Sequence, residues 1–160
     1  MGKVENYFKI LVLILFFSFF AYFTLFAERN KTEKKNGVSV EKVYEIYKKG
    51  ACFFVDARSF EEYRKGHIEG AINIPFHSDR KNDYIVKAIE FLNGADYVVV
   101  YCDGSSCGLS KMLAKDLLNA GVNKEKLLIF TEGYEVWKEK GYPISKDLSF
   151  QKALFLQQEQ

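Results

Sequence analysis

VVVYCDGSSCGLS, residues Val98–Ser110, is a β-branched run that ends in a cysteine, crosses a stretch of small residues and enters a helical pattern. The apolar run predicts a buried strand at Tyr97–Tyr101. Leu109, Met112, Leu113 and Leu117 fall at helical spacing and predict a helix that Gly121 ends. This order puts the Cys102 thiol at the carboxyl end of a strand, facing loop and helix N–H groups. Such a cradle favours an anion, so the expected pKa of Cys102 lies below the free-cysteine value of about 8.5. A Cys102 thiol that stayed protonated well past pH 9 would count against chemistry at this sulfur.

The flanking sequence alternates strands and helices. Ser39 is placed to cap a helix whose apolar positions are Val40, Val43, Tyr44 and Tyr47. Ala51–Ala57 contains the apolar run CFFV, a second buried strand. Ser59 and Glu62 form a capping box for a short helix through Lys65. Ala71–Ile74 is a short strand before Pro75. Tyr84–Leu92 carries Ile85, Ala88, Ile89 and Leu92 on one helical face. Leu127–Phe130 is a strand, and Tyr134–Lys140 a helix stopped by Gly141 and Pro143. The alternation predicts a parallel sheet with right-handed crossovers, which binds ligands at the carboxyl ends of its strands. Cys102 sits at such an end.

Around this α/β unit lie two further kinds of sequence. Residues 10–27, ILVLILFFSFFAYFTLFA, hold no charge over 18 positions. As a helix they would extend about 27 Å, close to the roughly 30 Å hydrocarbon core of a bilayer. A transmembrane helix or uncleaved signal-anchor in contact with the lipid bilayer is the expectation. A cleaved signal peptide is the rival, weakened by Leu25 where a small residue is preferred before Ala27. Lys3 and Lys9 precede the run, while Arg29, Lys31, Lys34 and Lys35 follow it. The basic count slightly favours a cytoplasmic C-terminal flank. The short N-terminal tail favours the opposite orientation, which in a bacterium places the domain in the periplasm. The expected organisation is a tail over 1–9, the span over 10–27, a linker over 28–37, the α/β domain over 38–146 and a C-terminal tail over 147–160. Within that tail Leu148, Ala153, Leu154 and Leu156 allow a terminal helix.

Composition narrows the function. A net charge of +2 over 160 residues gives no electrostatic footprint for nucleic acid. Three cysteines, an odd number, argue against a disulfide scaffold. The two histidines, His67 and His77, lie far from the cysteines, and no CxxC or HxxxH pair exists, so no metal is expected.

Three signatures in the right order resemble the rhodanese-like domain family. Val55-Asp56-Ala57-Arg58, Glu61-Glu62-Tyr63 and Gly66-His67-Ile68-Glu69-Gly70-Ala71-Ile72-Asn73-Ile74-Pro75 resemble its first pattern, D-x-R…E-Y-x-x-G-H-I-x-G-A-x-N-I-P. Val99-Val100-Tyr101-Cys102 resembles the strand leading to its active-site cysteine. Glu132-Gly133, Trp137 and Gly141-Tyr142-Pro143 resemble its closing pattern, G-G-x-x-x-W-x-x-x-G-x-P. The resemblance implies a three-layer fold with a central parallel sheet flanked by helices. It implies a sulfurtransferase with Cys102 as the catalytic thiol, a sulfane-sulfur donor and a thiol acceptor as partners, and no cofactor. Asp56, Arg58 and His67 then read as structural residues near the site, with His67 bracing a loop. His77 reads as a surface residue and Cys52 as a core residue.

The loop departs from the family. Active rhodaneses resemble C-R-x-G-x-R-S, with an arginine. Here the loop is Asp103, Gly104, Ser105, Ser106, Cys107 and Gly108, about two residues longer, with Ser110 in the place of the family serine. The missing arginine, and Asp103 if it points inward, would both weaken the binding of thiosulfate. The related phosphatase and arsenate-reductase chemistry also needs an arginine near the end of the loop, where this chain has Gly108. Cys107 is either a resolving thiol for Cys102 or a small loop residue. A non-catalytic sulfur carrier, redox sensor or binding module remains the alternative to an enzyme.

Overall fold

The computed structural model describes residues 16–18, 20–22 and 37–156. The span expected over 10–27 therefore lies outside the described residues, apart from two helical pieces at 16–18 and 20–22 whose side chains are exposed. Among the described residues no helix is long and apolar enough to cross a membrane. Residues 157–160, and most of the linker over 28–37, also lie outside.

The domain runs α1 (Val40–Lys48), β1 (Cys52–Asp56), α2 (Phe60–Lys65), β2 (His67–Ile68), β3 (Ile72–Asn73), α3 (Lys81–Gly94), β4 (Tyr97–Tyr101), α4 (Leu109–Asn119), β5 (Leu127–Phe130), α5 (Gly133–Glu139), β6 (Ile144–Ser145) and α6 (Ser149–Leu156). Local chemistry sets many of these boundaries. Ser39 accepts from the Lys42 N–H at the start of α1. The Ser59–Glu62 capping box is complete, with both reciprocal bonds formed at the start of α2. Each such cap satisfies amide donors that the first helical turn leaves unpaired.

A four-stranded parallel sheet has the order β3-β1-β4-β5. Successive strand residues face opposite layers, as the pleat requires. Val55, Val98, Val100 and Cys102 join one cluster with Ile85, Leu92, Leu113 and Leu117 from α3 and α4. Phe54, Val99 and Tyr101 join the other with Val43 of α1, Tyr63 of α2 and Trp137 of α5. Both faces of the sheet are covered, which is why its strands read as continuous apolar runs. Trp137 is fully buried, and its indole N–H donates to the Pro143 carbonyl at 2.9 Å.

The terminal helix that the sequence allowed after Asp147 forms as α6 and packs into the core through Phe155, which is 2% exposed. Gln151 of α6 accepts from the Asn73 N–H at 2.7 Å and donates to its carbonyl at 3.0 Å, so one side-chain amide pairs with the outer edge of β3. Met112 is exposed, and α4 instead buries Ser110, Leu113, Ala114 and Leu117. A small antiparallel pair, His67↔Ser145 and Ile68↔Ile144, forms where the sequence offered only turns.

Candidate active site

β1 and β4 pair in register, with Asp56 beside Tyr101. Their carboxyl ends therefore bring Asp56 and Cys102 to the same edge of the sheet, although 45 residues of intervening chain include α2 and α3. Cys102 follows β4 directly and its side chain continues the Val98–Val100 face, toward α4.

The Cys102 residue is buried. Its sulfur lies 3.5 Å from the Ser110 hydroxyl, 3.4 Å from the Cys107 carbonyl and 4.0 Å from the Gly104 carbonyl. The Ser110 backbone N–H also faces it and favours the thiolate. The expected ring of loop amides is not what surrounds the sulfur. The Cys107 N–H is spent on the Gly104 carbonyl at 2.9 Å, closing a turn that aims carbonyl oxygens at Cys102. Those carbonyls accept from a thiol and disfavour its anion.

The expected depressed pKa is therefore corrected. Burial, the largest cause, pushes the Cys102 thiol up to about 11. The Cys107 side chain pushes in the same direction, and the Ser110 hydroxyl and N–H oppose it. A thiol reacts as its thiolate, and that fraction grows tenfold per pH unit while the pH stays below the pKa. Alkylation of Cys102, read by peptide mass, is expected to quicken about a hundredfold from pH 7 to pH 9. A plateau already reached below pH 8 would contradict this.

Asp56 and Arg58 form a buried charged pair. The Arg58 Nη2 donates to Asp56 Oδ2 at 2.6 Å and to the Gly66 carbonyl at 2.8 Å. Arg58 Nε and its backbone N–H donate to Asp56 Oδ1 at 3.0 and 2.9 Å. The guanidinium lies over the Tyr134 ring, 4.0 Å from its centroid. Burial works against its charge, yet the bonds and charge of Asp56 raise its pKa further and keep it protonated. Asn73 completes the brace, donating its side-chain amide to the Asp56 and Arg58 carbonyls at 3.0 and 2.9 Å.

Asp103 does not point at the sulfur. Its carboxylate is 45% exposed and lies 3.7 Å from Arg58 Nη1. Burial and then Glu62 raise its pKa above the ordinary carboxylate value, against the pull of Arg58. Ser105, Ser106 and Gly108 form the exposed outer surface of the loop, while Gly104 and Cys107 are half-buried. His67 is buried, stacks on Tyr63 with centroids 3.8 Å apart and places Nδ1 2.9 Å from the Tyr63 carbonyl. Burial lowers its pKa, so the neutral ring donates that bond. It braces α2 against β2. His77 is exposed, and Cys52 is half-buried at the far end of β1.

The start of α5 holds the site's backbone, a role that escaped the sequence reading. The Tyr134 and Glu135 N–H groups of α5 donate to the Cys102 and Asp103 carbonyls at 2.8 and 3.0 Å, which fixes the backbone on which the sulfur stands. Gly133 permits that approach. Its φ is +71°, and a β-carbon there would strike the Cys102 carbonyl and sit 2.6 Å from Asp103 backbone atoms. Its neighbour Glu132, where the family pattern has glycine, accepts from the Val40 N–H at 2.7 Å and caps α1.

Comparison with known proteins agrees with this geometry. The family model of the rhodanese-like domain matches residues 39–140. The chloroplastic thiosulfate sulfurtransferase 16 of Arabidopsis thaliana is 30% identical over 96 residues, covering 56% of this chain and 77% of that protein. An HTH-type transcriptional regulator of Mycobacterium tuberculosis is 31% identical over 97 residues, covering 61% of this chain. The chain spans only 39% of that regulator's length. Among solved structures, the BH2092 protein of Bacillus halodurans superposes with a TM-score of 0.60 at 23% identity, covering 81% of this chain and 90% of that one.

Proposed function

Because the chain belongs to the rhodanese-like domain family, we propose that it is a sulfurtransferase that carries sulfane sulfur as a persulfide on Cys102. The observation that supports this reading most is the placement of one sulfur atom at the carboxyl end of β4, against the Ser110 hydroxyl and N–H at the start of α4. The Cys102 thiolate attacks the outer sulfur of a donor, and the donor's remaining part leaves as an anion. A thiol acceptor then takes the outer sulfur and regenerates the thiolate. Helix and hydroxyl donors on the sulfur stabilise negative charge at both stages.

A pKa near 11 makes ionisation at pH 7 cost about 5 kcal/mol. The thiolate once formed is correspondingly more nucleophilic, which offsets part of that cost. Charge at the rim selects the donor. Arg58, the cation beside the loop, is neutralised by Asp56 and approached by Asp103. Donors without sulfonate oxygens for a cation to hold, such as polysulfides and protein persulfides, suit this site better than thiosulfate. The test is sulfur transfer from polysulfide or thiosulfate to a thiol by the full-length chain. Turnover with polysulfide exceeding that with thiosulfate is expected, and no turnover with either would contradict the proposal.

The buried, protonated thiol favours a second reading: a redox-sensing, sulfur-carrying or binding module without turnover. It would share the proposed tether in 10–27, supported by 18 positions without charge. The chain is expected to stay in the membrane pellet after an alkaline wash. Its release to the supernatant would contradict the tether.

A further inference from the structure

We propose that Cys107 is the resolving thiol of this site: it attacks the sulfur-loaded Cys102, releases the carried sulfur as sulfide and closes a Cys102–Cys107 disulfide. The inference rests on the sulfur-transfer reading above and adds a route by which the cargo leaves without an external thiol.

The loop geometry carries it. The turn closed by the Cys107 N–H on the Gly104 carbonyl folds the chain back over Cys102. It leaves the Cys107 carbonyl 3.4 Å from the Cys102 sulfur. The Cys107 side chain packs, half-buried, against the same apolar cluster that contains Cys102. Both are reduced in this structure. The remaining cysteine cannot substitute. Cys52 pairs with Tyr97 at the opposite end of the sheet, roughly 16 Å along β4 from Cys102.

The additional loop residues gain a purpose on this account. The turn that closes this loop brings Cys107 back over Cys102. Exposed Ser105 and Ser106 form the bend, and small residues there let the chain curl tightly.

The chemistry balances without an oxidant. Loaded Cys102 holds an S–S bond between its own sulfur and the sulfane sulfur. The Cys107 thiolate attacks the Cys102 sulfur, the new Cys102–Cys107 bond forms, and the old S–S bond breaks with its electron pair on the departing hydrosulfide. The sulfane sulfur is reduced by two electrons to sulfide, and the two protein thiols are oxidised to one disulfide. The Cys107 proton is lost to water and the hydrosulfide takes its own proton from water. A dithiol reductant, by two exchange steps, restores both thiols and is itself oxidised.

The test uses the full-length chain in detergent, reduced, freed of reductant and given one equivalent of inorganic polysulfide with no acceptor. Wild type and Cys52→Ala are expected to release sulfide and to yield a peptide linking Cys102 to Cys107. Cys107→Ser is expected to retain one added sulfur atom on Cys102 and to release sulfide at least about tenfold more slowly. Adding an external dithiol should then unload this variant. Wild type that retains the added sulfur as long as Cys107→Ser, or loses it without the Cys102–Cys107 link, would overturn the inference while leaving sulfur transfer standing. Uptake by neither protein would overturn both.

Discussion

Cys102→Ser is expected to lower sulfur transfer by at least about a thousandfold, to the background rate. The reason lies in the atom itself. Carrying sulfane sulfur requires an S–S bond, and a serine oxygen forms no comparable carrier and ionises far less readily. The substitution should leave the fold intact. A serine hydroxyl at this position still faces the Cys107 carbonyl and the Ser110 hydroxyl, so the stability change should stay within about 1 kcal/mol. Loss of transfer with an unchanged denaturation midpoint separates a chemical role from a structural one. Retained transfer in this variant would place the carrier elsewhere.

Asp56→Ala is expected to destabilise the domain by about 3–5 kcal/mol. Arg58 has a side chain only 4% exposed and takes most of its electrostatic compensation from Asp56. Removing the carboxylate leaves a guanidinium surrounded by the Tyr134 ring, the Gly66 carbonyl and, at 3.7 Å, the partly solvated Asp103. That remaining set compensates poorly for a buried charge. The damage would reach the site as well, because Arg58 drawn toward Asp103 would pull on the residue adjoining Cys102. Asp56→Ala combined with Arg58→Met should recover much of the loss, since a buried ion pair replaced as a unit is often neutral. Chemical denaturation of the two variants measures both effects. A single substitution costing under about 1 kcal/mol would mean the pair is far better solvated than its burial indicates.

Features written in neighbouring residues were legible before the structure. The Ser59–Glu62 box, the Tyr97–Tyr101 strand and the helix from Leu109 depend on local hydrogen bonding and on the period of apolar residues. The signatures around Asp56, Cys102 and Trp137 supplied the fold and the candidate nucleophile. The Asp56–Arg58 pair was also within reach, because the two residues are two positions apart. What stayed hidden depends on tertiary approach. Gln151 meets Asn73 across 78 positions, and Glu132 meets Val40 across 92. Polar residues at such separations carry no periodic signal.

The largest correction, the protonation of Cys102, has the same origin. Strand, cysteine, small loop and helix describe where the sulfur sits. They do not describe which way the peptide groups turn. The Gly104–Cys107 turn consumes an amide and presents carbonyls, so a motif associated with anion binding holds a neutral thiol. The direction of Asp103, which the sequence left open, follows the position of Arg58, which arrives from the end of another strand.

The most direct measurement is the intact mass of the full-length chain after brief exposure to polysulfide, with rapid trapping and peptide mapping. The account predicts a species heavier by one sulfur atom, with the addition located on Cys102 and absent from Cys102→Ser. A chain that gains no sulfur, or gains it equally without Cys102, would contradict the account.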